Sequence, residues 1–109
     1  MILTMQEIKE KIAPIAQKYH LPVVYLFGSY ARGEADEDSD LDFAVPDTDY
    51  LFQGWNFFDL ENDLELSFSR NIDLLTLSGI AKGKSMTARE IQQAFQKERV
   101  LVYEENAVG

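Results

Sequence analysis

Apolar positions along the chain change period several times, and each change marks an element. Ile8, Ile12, Ile15, Ala16 and Tyr19 recur at helical spacing after a Thr4-x-x-Glu7 capping box, which predicts a helix over residues 4–18. Pro14 should bend or divide that helix. Pro22 opens a continuous apolar run, Val23–Phe27, which ends at Gly28 and reads as a strand. His20 sits at the junction as a helix-end residue. Ser29–Gly33 should form a short helix and Glu34–Ser39 an acidic loop. Asp40–Val45 alternates strictly, with Leu41, Phe43 and Val45 on one side and Asp40, Asp42 and Ala44 on the other. It reads as a second strand, stopped by Pro46. Asp49–Phe68 predicts a long helix, Ile72–Leu77 a third strand and Ser78–Ser85 a loop. A second capping box, Thr87-x-x-Glu90, predicts a helix over residues 88–98. Val100–Tyr103 reads as a closing strand and Glu104–Gly109 as a frayed tail.

Connection lengths then constrain the topology. The short link between the first two strands favours antiparallel pairing, which brings Gly28-Ser29 beside Asp40. The strand–helix–strand crossover favours parallel pairing of the second and third strands, which brings Asp73 beside Asp40 and Asp42. The expected fold is α/β: one domain over residues 1–109, a small mixed sheet of three or four strands, and helices against one face.

The long helix carries more apolar surface than one packing contact needs. At about 100° per residue, Leu51, Phe52, Trp55, Phe58 and Leu66 form one face. Phe57, Leu60, Leu64 and Phe68 form a nearly opposite one. A break at Gly54 would change that phase. One of the two faces is expected to be a protein interface, with Trp55, Phe57 and Phe58 as its aromatic candidates.

Composition narrows the class. At 109 residues, 46% hydrophobic and 27% charged, the chain suits one globular domain. It has no cysteine, which excludes disulfides and thiolate metal sites. No apolar stretch is long enough to span a membrane, and MILTMQEIKEK does not look like an export signal, so a cytoplasmic protein is expected. The net charge is −9, from 19 acids and 10 bases. That argues against a polymerase surface that tracks nucleic acid, and it suits a nucleotide bound through cations or a basic protein partner.

The candidate chemistry lies in Gly28–Asp42, GSYARGEADEDSDLD. A Gly-Ser turn can open a helix whose free N–H groups face an anion. Asp40 and Asp42, two apart on a strand, project from one face about 6.5 Å apart. That spacing suits hard divalent cations. The run Asp36-x-Asp38-x-Asp40-x-Asp42 is not an EF-hand, because Leu41 and Asp47 stand where glycine and glutamate are needed. Arg32 can reach a phosphate or pair with Glu34. Lys82 and Lys84 read as solvated loop charge.

Gly28-Ser29, ten intervening residues and Asp40-x-Asp42, followed by Asp73 on a later strand, resemble the signature of the polymerase-β-like nucleotidyltransferase superfamily. The short chain and Ala31-Arg32-Gly33-Glu34 resemble its minimal members (MNT), many of them antitoxins paired with a HEPN-domain toxin. The resemblance implies catalytic and metal-binding roles for Asp40, Asp42 and Asp73, with two Mg²⁺ ions. It implies nucleotide binding by Gly28, Ser29 and Arg32. Larger members hold the acceptor in extra domains, for which a chain of this length has no room. The implied reaction is therefore transfer of AMP from ATP to a hydroxyl of another protein, with tyrosine of a cognate HEPN toxin favoured. Two alternatives are transfer to a small molecule such as an aminoglycoside, and a non-catalytic antitoxin that masks its toxin by binding.

Overall fold

The computed structural model describes residues 2–105. Helix α1 (Met5–Lys18) starts at the expected capping box: the Thr4 hydroxyl accepts from the Glu7 N–H at 3.1 Å, and the Glu7 carboxylate accepts from the Thr4 N–H at 3.0 Å. Pro14 stands on its solvent side and does not divide it. There follow β1 (Val23–Phe27), α2 (Ser29–Arg32), β2 (Leu41–Val45), α3 (Asn56–Phe68), β3 (Ile72–Thr76), α4 (Leu77–Lys82), α5 (Met86–Glu98) and β4 (Val100–Glu104). The four strands form one sheet in the order β3-β2-β1-β4. β1 runs antiparallel to β2 and β4, and β2 runs parallel to β3, as the connection lengths require.

Strand alternation divides the apolar side chains between two cores. Val24, Leu26, Leu41, Phe43, Val45, Ile72 and Leu74 face the larger one, where Ile8, Ile12 and Ala16 of α1 and Leu60, Leu64 and Phe68 of α3 close over them. Phe27 and Ala44 point to the other face and meet Ile80 of α4 and Phe95 of α5. Helices therefore cover both faces, not one. The second layer was hidden because α4 lies in the stretch expected to be a loop. Its first turn is fixed by two acceptors: the Thr76 hydroxyl takes the Gly79 N–H at 3.1 Å, and Asp47 takes the Ser78 N–H and hydroxyl at 2.9 and 2.6 Å. Asp47 comes from 31 residues earlier, so local sequence does not announce this helix.

Three boundaries differ from expectation for physical reasons. Gly54 adopts φ +55°, and residues 50–55 form turns, so α3 begins only at Asn56. Leu51 is thereby released from the helical phase and fully buried, while Phe52, Trp55, Phe58 and Leu66 stay exposed. α5 is capped by Ser85, whose side chain accepts from the Ala88 N–H at 3.0 Å, and Thr87 lies inside the helix. β4 extends to Glu104, and the rest of the expected tail, beyond residue 105, lies outside the described residues. His20 adopts φ 57° after α1 and packs edge-on against Tyr50 at 4.4 Å.

Candidate active site

The strand register brings the two halves of the motif together. Asp42 is the Cα partner of Phe27 across the antiparallel pair and of Asp73 across the parallel pair. Gly28 follows Phe27 directly, so its backbone lies against the Asp42 side chain. A Cβ on Gly28 would fall 2.1 Å from Asp42 Oδ2. Gly28 also has φ 76° and ψ −155°, a conformation essentially reserved for glycine. Two separate constraints therefore require glycine at this position.

Asp42 and Asp73 form a contacting carboxylate pair. Burial, then the hydrogen bond and the negative charge of Asp73, push the Asp42 carboxyl up to about 7, with Asp40 adding to the rise and Arg32 opposing it. Asp40 stands one residue ahead of β2 and is exposed, as is Asp73. Of the three expected acids, Asp42 and Asp73 touch, and Asp40 stands near enough for its charge to act on Asp42. Among the described residues, no three His, Cys, Asp or Glu side chains are close-set enough to hold a metal ion as they stand. The donor set nonetheless fits a hard divalent cation: it is all carboxylate, and crowded anionic oxygen is the condition that such a cation relieves.

A cleft of about 450 Å³ opens beside the pair. Its polar side is Gly28, Asp42 and Asp73, with Glu61 nearby, and its apolar side includes Phe27, Leu75, Ile91 and Ala94. Ile91, Ala94 and Glu61 escaped the sequence reading. The first two share one face of α5, and their apolar spacing was the available signal. Arg32 is occupied by two carboxylates, Glu34 and Glu98, each at 3.0 Å. Tyr30, the buried residue of α2, accepts a hydrogen bond from Arg70 and so ties the Gly28–Ser29 corner to the start of β3.

On the opposite side, α3 is packed through Leu60, Leu64 and Phe68, with Phe57 half-buried against the same core. Of the three aromatic interface candidates, Phe57 therefore belongs partly to internal packing. Trp55 and Phe58 remain 74% and 61% exposed with ring centroids 5.8 Å apart, and Phe52 and Leu66 extend the patch.

The family profile described as polymerase beta, nucleotidyltransferase matches residues 10–107. A protein adenylyltransferase, MntA, of Thermococcus cleftensis is 33% identical over 95 residues, covering 83% of this chain and 95% of that one. A crystal structure of a toxin–antitoxin with AMP-PNP superposes with TM-score 0.66 at 21% identity, covering 90% of this chain and 74% of that one. The structure of a tri-AMPylated Shewanella oneidensis HEPN toxin in complex with MNT antitoxin superposes with TM-score 0.62 at 20% identity, covering 93% and 73%. These two structures share the fold. The chain belongs to the polymerase β nucleotidyltransferase family.

Proposed function

We propose that this nucleotidyltransferase moves AMP from ATP to a tyrosine hydroxyl of a cognate HEPN-domain toxin and so acts as its antitoxin. The observation that carries this reading is the Asp42–Asp73 pair facing an open cleft under a glycine that admits no side chain. The adenylyltransferase relative and the AMPylated toxin of the structural neighbour support the choice of nucleotide and acceptor.

In this reading the cleft takes ATP with its phosphates toward Gly28 and Ser29. The first-turn N–H groups of α2 would meet phosphate oxygens, and Gly28 lets them approach. Asp40, Asp42 and Asp73 would hold two Mg²⁺ ions, which supply charge neutralisation at phosphorus and lower the pKa of the acceptor hydroxyl. Asp73, the more exposed of the contacting pair, would take the proton of that hydroxyl. The hydroxyl oxygen forms a bond to the α-phosphorus, the bond from that phosphorus to the bridging oxygen breaks, and pyrophosphate leaves. The partner docks on the exposed aromatic patch of Phe52, Trp55 and Phe58, an anchor type common at such contacts. The net charge of −9 favours a basic partner.

The test is incubation of the protein and its genetic neighbour toxin with α-labelled ATP, in Mg²⁺ and in excess chelator. Label on a toxin tyrosine, lost in chelator, is expected. Label on an aminoglycoside instead would assign a small-molecule acceptor. Neutralisation of the toxin without any label would assign masking by binding.

A further inference from the structure

Helix α5 is one wall of the cleft, yet little of it is buried. Phe95 is its one buried residue, so Ile91 and Ala94 owe their position to a few ties. The Phe95 ring meets Phe27 and Tyr25 edge-on at 5.7 and 5.8 Å. Gln92 Nε2 donates to the carbonyls of Ile80 and Gly83 at 2.7 and 2.8 Å, which joins α5 to the end of α4.

The third tie is ionic and joins α5 to α2, the helix that the cleft residue Gly28 opens. Arg32, the last residue of α2, donates through Nη1 to Glu98 Oε2 at 3.0 Å. Glu98 is the last residue of α5, where a carboxylate opposes the helix dipole. Its presence there makes sense through Arg32. The same guanidinium donates through Nε to Glu34 at 3.0 Å, but Glu34 lies on Arg32's own segment and bridges nothing.

We propose that Arg32 and Glu98 form a latch that holds α5 closed over the nucleotide cleft. Arg32 is then a positioning residue for the Ile91–Ala94 wall, and its charge is not spent on a phosphate. The inference rests on reading the cleft as the ATP site. Opening the latch lowers the fraction of molecules with the wall in place, and the apparent affinity for ATP falls by that fraction. Arg32 and Glu98 are 37% and 24% exposed, so the effect is modest: roughly threefold to fivefold in KM, the upper range for a partly exposed ion pair.

The experiment compares Glu98→Gln with Glu34→Gln by two readouts: kcat and KM for ATP, and hydrogen exchange of α5 amides without ligand. The latch requires Glu98→Gln to raise KM severalfold with kcat nearly unchanged and to speed exchange across residues 86–98. Glu34→Gln should do neither. If Arg32 instead serves a phosphate and the two carboxylates merely compete for it, both variants should lower KM and leave α5 exchange unchanged. That result, or an Glu98→Gln protein with wild-type KM and exchange, overturns the latch. The exchange arm needs no turnover, so it decides the latch even if the protein fails to use ATP.

Discussion

Gly28→Ala is the sharpest perturbation of the site that removes no charged group. Two costs follow from the structure. The backbone at φ 76° and ψ −155° is open to glycine alone, and holding a residue with a side chain there costs about 1–3 kcal/mol. The added Cβ would also fall 2.1 Å from Asp42 Oδ2 and 3.0 Å from its carboxyl carbon. Gly28 is held by the buried strand β1, so the Asp42 carboxylate must give way toward the β3 side and lose its present geometry against Asp73. A displacement of about 1 Å at a reacting centre can lower a rate about 100-fold. Gly28→Ala is therefore expected to lose about 1–3 kcal/mol in urea unfolding and about two orders of magnitude in AMP transfer. The assays are chemical denaturation and label transfer from α-labelled ATP on the same preparation. A variant with unchanged stability and transfer within twofold of wild type would refute the close approach of Gly28 to Asp42.

Truncating the exposed aromatics should separate docking from folding: Trp55→Ala or Phe58→Ala should weaken toxin binding in calorimetric titration by ~2 kcal/mol or more with little change in melting temperature. Phe57→Ala should instead lower the melting temperature, because its ring is half-buried against the main core. Ser85→Ala should cost about 1 kcal/mol of stability as the loss of a helix cap, whereas Thr87→Ala should cost little. Asp63 accepts from the Tyr19 hydroxyl at 2.5 Å and from Lys18 at 2.9 Å, which hold its carboxyl below the usual 3.8. The folded chain thus binds that proton less readily than the unfolded one, so this contribution to stability is present above pH 4 or so and is lost as pH falls through the lowered value. NMR titration should find the Asp63 midpoint depressed, and Tyr19→Phe should raise it.

Most of the architecture was legible because period and connection length agree. The alternation of Leu41, Phe43 and Val45 against Asp40 and Asp42 marks β2 and its two faces. The short link before it and the crossover after it set pairings that bring Asp42 beside both Phe27 and Asp73. What stayed hidden depends on partners distant in sequence. α4 is started by Asp47, just past the end of the neighbouring strand β2, and α5 is joined to it by Gln92. Arg32 left phosphate and ion pair both open, because Glu98, its distant partner, lies 66 residues away. The two apolar faces expected over residues 49–68 hold only from Asn56 on, because Gly54 keeps residues 50–55 out of the helix, which is why Leu51 is buried while Phe52 and Trp55 are not.

The most direct test of the account is AMP transfer by Asp42→Asn, measured with α-labelled ATP, Mg²⁺ and the cognate toxin. Asn keeps the shape of the side chain and removes the anionic oxygen that the proposed cation would use. It also relieves the repulsion with Asp73, so unfolding should stay cooperative and stability should not fall. Transfer should fall by orders of magnitude in a well-folded protein. A folded Asp42→Asn protein that labels its toxin at a near-normal rate would contradict it.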